Sequence, residues 1–304
     1  MDFSRRDILL NAAILGCASV LPHRTLAATA FGTGRLSTIS DGHLVLPGSL
    51  FFDPMPKDEL PALLDEFALS QERLEPECNL ALYQDGDRNV LFDVGSGPDF
   101  MPSSGLVYDS LDEAGLSPED ITHVVFTHAH PDHIWGLLDE FEDPLFSEAT
   151  YFMGRTEWDY WWDPETVNSL GDARAAFAGG ARRRMEIIED NVQLFEDGEE
   201  ILPGIAAMAT YGHTPGHMSF ELKNGSDTAM VVGDAIGNHH VAFARPDWNS
   251  GADQDMSQGA ATRQRLLDRL ANEQLLMVGF HLPDGGMGRV EKTGDGFRFI
   301  GGET

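Results

Sequence analysis

Lysine is almost missing from this chain. Lys57, Lys223 and Lys292 are the whole supply, and arginine makes up the rest of 20 basic residues facing 50 Asp and Glu, a formal net charge of −30. A surface this acidic repels phosphate backbones and anionic membranes, so nucleic acid is not expected as a partner. The triplet Arg182-Arg183-Arg184 offers no real exception and reads as a solvated helix face. Cysteine is equally scarce, with Cys17 and Cys78 alone. Internal repeats and low-complexity linkers are absent, and no apolar run reaches the ~20 residues that span a bilayer. Repeat architectures are thereby excluded and a transmembrane anchor is disfavoured, while a salt-adapted or periplasmic setting suits the charge.

The N-terminal segment stands apart. Arg5-Arg6 precede an apolar run from Ile8 to Leu21, and Ala28-Thr29-Ala30 supplies an A-x-A pattern. Charged start, short apolar middle and small-residue end make a secretory signal, and the paired arginines suggest the twin-arginine route. Residues 1–30 are read as this signal, cleaved after Ala30, and residues 31–304 as one domain. The protein is then expected in the periplasm or outside the cell, without stable membrane association. A lipoprotein anchor at Cys17 is the alternative, which Leu15 fits poorly. Cys78 would be the one cysteine left, too few for an intrachain disulfide, and it reads as a small buried apolar residue.

Along the domain, strand-like runs recur: "RLSTISDGHLVLPG", "NLALYQ", "NVLFDVG", "THVVFTH", "ATYFMG", "AAMATYG", "MSFEL", "TAMVVGD" and "LLMVGFH". Helical patterns lie between them at 105–116, 155–162, 171–190 and 256–274, the last with Ala260, Leu266, Leu267 and Leu270 near helical spacing. Strand pairs come first and strands then alternate with helices, the order of a layered α/β protein with mixed sheets.

Several strands end abruptly in polar residues. In "VVFTHAHPDHIWG", Val124-Val125-Phe126 reads as a buried strand, and His128 and His130, two apart, point to one side of an extended backbone. Asp132 and His133 follow Pro131, where a helix can begin. Imidazole and carboxylate together suit zinc and similar divalent metals. Further on, His213 follows a strand in "YGHTPGH", Asp234 ends the apolar "TAMVVGD", and His281 ends "LLMVGFH". A buried carboxylate at Asp234 would be costly without a partner. Asp93 in "LFDVGSG" is the candidate acceptor that orients a metal-binding histidine, or else caps a turn.

This order, HxHxDH, a lone His, Gly-Asp and a late His, resembles the metallo-β-lactamase superfamily across residues 36–300. The resemblance implies an α/β fold, a four-layer αββα sandwich with mixed β-sheets and two divalent metal ions, zinc being expected, between the sheets. His128, His130 and His213 would hold one ion, Asp132, His133 and His281 the other, and Asp234 would bridge them. The segments "STISDGHLVLP", "GHTPGH" and "FHLPDGGMGRVEKTGDGFRF" are similar to methyl parathion hydrolase and lactonase-like members. That likeness implies a hydrolase of small ester, lactone or phosphotriester substrates, with Asp132 as a catalytic group that ligates, orients hydroxide and passes a proton onward. Oligomeric state is left open, a homodimer included.

Two departures stand out. The stretch "GDAIGNHH" lacks the tyrosine that acyl-homoserine lactonases carry after the bridging aspartate, and Trp135 replaces a usual glycine. Trp135 would therefore mark where the pocket differs. Phe100 and Trp161, joined by Phe177, either wall that pocket or pack as core. His217 is either structural or part of the site, His239 and His240 line a nearby loop, and His43 and His123 are structural. A single-iron redox enzyme of the same fold, akin to persulfide-oxidising relatives, and a non-catalytic metal-binding relative are the competing readings. The intact His133 and His281 weigh against the first, the full set of seven ligands against the second.

Overall fold

The computed structural model describes residues 27–170 and 174–302; Arg5, Arg6 and Cys17 lie outside the described residues. In chain order, β1 (Ala28–Phe31) and β2 (Gly34–His43) precede a small ribbon of β3 (Leu46–Pro47) with β4 (Arg73–Leu74). Then come β5 (Glu77–Asp85), β6 (Arg88–Phe92), β7 (His123–Val125), β8 (Thr150–Gly154) and β9 (Val192–Phe195). The later strands are β10 (Glu200–Leu202), β11 (Ile205–Ala209), β12 (Met218–Asn224), β13 (Asp227–Gly233), β14 (Leu276–Gly279), β15 (Met287–Thr293) and β16 (Gly296–Gly301).

These strands build two seven-stranded sheets, ordered β1-β2-β5-β6-β7-β8-β9 and β10 through β16 in sequence. From β6 to β9 the first sheet is parallel, and in the second only β13 and β14 pair in parallel. Both sheets are mixed, as the order of elements implied.

Period-two alternation explains the layering. In β5, Ala81 and Tyr83 face the other sheet, while Cys78, Leu80 and Leu82 face helices. In β13, Ala229 and Val231 face inward, and Met230 and Val232 turn to the opposite helical layer. Phe220 fills the centre, its ring 5.3 Å from Phe92 and 5.8 Å from Phe195. The helices are α1 (Ser49–Phe52), α2 (Leu60–Glu66), α3 (Val107–Glu113), α4 (Pro131–Ile134), α5 (Arg155–Trp162), α6 (Thr166–Ser169), α7 (Ala175–Ile188), α8 (Val241–Ala244) and α9 (Met256–Glu273). Leu111 of α3, Trp158 and Trp161 of α5 and Met185 of α7 cover one sheet; Phe243 of α8 and Leu266, Leu267 and Leu270 of α9 cover the other. The result is the αββα sandwich.

Some boundaries differ from the sequence reading. The helix expected at 105–116 is the shorter α3, closed by Gly115 at a φ of 75°. The helix expected at 171–190 is α7, and residues 171–173 lie outside the described ones. The edge strands β1, β9, β10 and β16 and the near-edge β15 were not anticipated, because their residues are mostly half-exposed or exposed and form no continuous apolar run. Ala28, Thr29 and Ala30 pair with β2, so cleavage after Ala30 would take three of the four residues of β1.

Phe220 tests the central layer. Phe220→Ala is expected to cost about 3–5 kcal/mol, read from urea unfolding; a loss below ~1 kcal/mol would mean the sheets do not meet there.

Candidate metal centre and substrate cavity

The candidate ligands leave from the ends of parallel strands, where open α/β sheets place their ligand crevices. Asp93 directly follows β6, Asp234 follows β13, and His281 lies two residues past β14. The strand β7 stops at Val125, short of the extent expected, so His128 and His130 stand on a loop. His130 is extended (φ −69°, ψ 161°) and opens α4, whose first residues are Pro131, Asp132 and His133. The fixed φ and missing N–H of proline suit a helix start. His213 enters from the Thr214-Pro215-Gly216 turn between β11 and β12.

All seven side chains are buried and fall into two groups. In the first, the Nδ1 atom of His130 lies 3.0 Å from His128 Nε2 and 2.9 Å from His213 Nε2. In the second, His281 Nε2 lies 3.2 Å from Asp132 Oδ2 and 3.3 Å from Asp234 Oδ2, and His133 Nε2 lies 3.4 Å from Asp234 Oδ1. Asp234 Oδ2 is also 3.4 Å from His213 Nε2, so this carboxylate touches both groups.

The opposite ring nitrogens settle what these atoms are for. His133 Nδ1 donates to Asp93 Oδ2 at 2.8 Å, and His281 Nδ1 donates to the Glu77 carbonyl at 2.8 Å. The Nδ1 of His128 meets Thr127 Oγ1 at 3.0 Å, and that of His213 lies 3.4 Å from Asp253 Oδ1. Anchoring one nitrogen fixes the ring and leaves the other lone pair aimed at the shared centre. Asp93 thus accepts from His133, the contact that an orienting acceptor would make. It sits at a φ of 63°, sparsely populated for non-glycine residues, and also accepts the Thr127 N–H and hydroxyl at 2.8 Å each.

Electrostatics agrees. Burial, reinforced by neighbouring histidines, holds His128 and His130 well below 6.5, so both are neutral. Burial opposes ionisation of Asp234, yet His281 and His133 outweigh it and hold the carboxylate well below 3.8. His133 is likewise opposed by burial, but Asp234, Asp132 and Asp93 raise it well above 6.5. Neutral imidazoles at His128 and His130 and ionised carboxylates are metal-ligand states, whereas His133 and His281, which burial opposes but the carboxylates around them raise well above 6.5, would give up a proton to bind a cation. His133 Nε2 and Asp234 Oδ1 are buried without a hydrogen-bond partner, a cost that a cation between them would remove. The donor set therefore fits two divalent ions.

Above these groups lies a cavity of about 230 Å³. His130, Asp132, His213, Asp234 and His281 form its floor, and Leu44, Phe51, Met55, Phe100, Phe177, Val241 and Trp248 line its sides. Much of this wall comes from the segment between β3 and β4, whose Phe51, Met55 and Leu64 pack with Val241 and Trp248. The sequence reading had assigned that segment no part in the site.

Phe100 and Phe177 line the cavity, as one of the two sequence readings has it. Trp161 and Trp135 do not. Trp161 is 1% exposed, packs 5.8 Å from the outer side of the His130 ring and donates Nε1–H to Glu157. Trp135 stands behind Phe100 (5.5 Å), in a notch at Gly180, where an added Cβ would lie 2.2 Å from the indole. Arg184 covers its face at 4.8 Å and bonds Asp99, so this arginine is buried at 3% and the triplet is not a fully solvated face. His217 is structural: its Nε2 accepts the Asp234 N–H at 3.0 Å, and its Nδ1 meets Thr210. His240 packs against Phe52 and Phe67, outside both ligand groups. Asp253, held by Arg263 at 3.2 Å, went unnoticed in the sequence because its partner His213 lies 40 positions away.

Residues 75–281 match the family model of the metallo-beta-lactamase superfamily, and the chain belongs to that superfamily. Among curated relatives, it is 28% identical over 141 residues to the N-acyl homoserine lactonase AttM of Azorhizobium caulinodans, 45% of this chain and 48% of the relative. To an N-acyl homoserine lactonase of Bacillus thuringiensis it is 23% identical over 158 residues, 50% and 53% of the two chains. The chain therefore spans about half the length of these curated relatives. Among solved structures, AidC, described as a dizinc quorum-quenching lactonase in complex with a product, superposes with a TM-score of 0.85 at 24% identity over 92% of this chain and 98% of that one. The hydrolase AbOPH of the beta-lactamase superfamily does so with a TM-score of 0.84 at 25% identity, with the same coverage.

Asp93→Asn keeps the size of the side chain but weakens its grip on His133. It is expected to lower metal affinity at the second group about 10–100-fold, measured by chelator competition; unchanged affinity would remove Asp93 from the site.

Proposed function

We propose that the protein is a dinuclear metal-dependent hydrolase of small neutral esters and lactones that carry an apolar group. The observation that carries this reading is Asp234, whose two oxygens reach both ligand groups at the floor of an apolar cavity. Relatives described as N-acyl homoserine lactonases support the ester-like substrate class. Phosphotriesters are kept as a second class because Phe100 and Phe177 give the cavity an aromatic side.

His128, His130 and His213 would hold one ion, and Asp132, His133 and His281 the other, with Asp234 shared. Bound there, two divalent ions, zinc being expected, would supply water of pKa lowered towards ~7 and a Lewis acid for the substrate oxygen. The chain's own residues do the rest. The side chains of Phe51, Met55, Val241 and Trp248 hold the apolar group and exclude water. Asp132, ionised and lining the cavity beside His281, is placed to take a proton on a carboxylate oxygen and return it to the leaving oxygen.

We also propose export through the twin-arginine route, on the strength of Arg5-Arg6 and the apolar run behind them. Replacing Arg5 and Arg6 together with lysine is expected to leave the full-length protein in the cytoplasm; unaltered export of that variant would defeat this reading.

Metal analysis together with a panel of lactones, aryl esters, β-lactams and phosphotriesters tests the hydrolase. Two ions per chain and turnover of an ester or lactone are expected, whereas one iron per chain with oxygen consumption would establish a redox enzyme instead. Asp132→Ala should lower kcat at least 100-fold and empty the second group of metal; near-normal turnover would refute its role.

A further inference from the structure

Glu157 was passed over in the sequence among its aromatic neighbours, yet it is fully buried on α5 and has no Arg, Lys or His within ion-pair distance among the described residues. A buried carboxylate without a cation is costly unless its oxygens are filled by donors. They are filled here, two donors to each oxygen. Oε1 accepts the Ala129 N–H at 2.9 Å and the Trp161 Nε1–H at 2.6 Å. Oε2 accepts the Thr214 hydroxyl at 2.6 Å and the Gly216 N–H at 3.1 Å.

The identity of those donors gives the carboxylate its meaning. Ala129 is the residue between His128 and His130, and Thr214 immediately follows His213. One carboxylate thus joins the two loops that carry the three-histidine group, 83 residues apart between His130 and His213. The approach is close enough to require glycine at 216, where a Cβ would lie 2.1 Å from the Glu157 backbone nitrogen. The second group is anchored elsewhere, through Asp93 and the Glu77 carbonyl.

We propose that Glu157 is a positioning residue that clamps the His128–His130 loop to the His213 turn, and so sets metal affinity at the three-histidine group independently of the Asp132–His133–Asp234–His281 group. The inference rests on the two-metal reading of the site. It extends that reading to a side chain that touches neither metal ligands nor substrate, and it assigns α5 a function beyond packing.

Glu157→Gln is the decisive substitution, because its amide keeps one acceptor and turns an NH2 group on the other pair of donors. Zinc titration against a chromophoric chelator would give affinities, and histidine 1H–15N spectra would assign each loss to a group. The variant is expected to lose at least 10-fold in zinc affinity at His128, His130 and His213, with the second group holding zinc as the unaltered protein does. Trp161→Phe removes a donor that belongs to neither loop, and should leave both groups near normal. Wild-type affinity at both groups in Glu157→Gln, or equal weakening of both, overturns the proposal. Should that variant not fold, Thr214→Val carries the test: a smaller loss confined to the first group is expected, and an unchanged first group overturns the clamp. Failure of the unaltered protein to bind zinc would instead defeat the two-metal reading itself.

Discussion

Seven buried candidate ligand side chains, gathered in two adjoining groups, set the terms for the rest of this structure. Four are imidazoles besides His130 itself, two are carboxylates, and in isolation each would pay heavily for leaving water. Their burial is tolerable because four of the five imidazoles have an acceptor or hydroxyl for the outward-facing nitrogen, namely Thr127, Asp93, Asp253 and the Glu77 carbonyl, and His130 alone keeps a buried Nε2 without one. Those partners orient the rings so that the inward lone pairs converge. The surrounding hydrogen bonds are therefore as much a part of the centre as the ligands themselves.

Convergence in turn needs strands that end together. Parallel pairing of β6 with β7, and of β13 with β14, brings Asp93 beside Thr127 and Asp234 beside His281, although long stretches of chain separate them. The abrupt change from apolar strand to polar loop is built into the backbone, with Asp93 at a φ of 63° and Gly233 at 52°. At Gly233 a Cβ would press against the His217 ring at 2.7 Å, and His217 is the group that accepts the Asp234 N–H. Sheet packing and site geometry thus share the same few residues.

This explains what could be read in the sequence and what could not. The residues that gather at the candidate centre were legible because histidines and aspartates at the ends of apolar strands have few other reasons to be there. The layers were legible from alternation in β5 and β13. Glu157 and Asp253 were not, because their partners lie far away in the chain and nothing local marks an acid as buried. Trp135, Trp161 and Arg184 show the limit of periodicity, which places a side chain on the inner face of a helix or loop but does not separate core from cavity wall. The cavity wall between β3 and β4 was hidden for a related reason: its short helices, of four and seven residues, carry too few turns to show a pattern.

The charge of the chain bears on the direction of the proposed reaction. A neutral ester or lactone approaches a surface of net charge −30 without Coulombic penalty. Hydrolysis turns it into a carboxylate, which the same surface repels once it leaves the floor of the cavity. Two of the arginines lining the cavity add little to this field, because Arg263 is paired with Asp253 and Arg245 with Glu59, while Arg174 donates to the Gly251 and Ala252 carbonyls and is the local positive exception. The acidity that argued against nucleic acids at the level of composition therefore has a second consequence at the site. It favours neutral substrates entering and anionic products leaving.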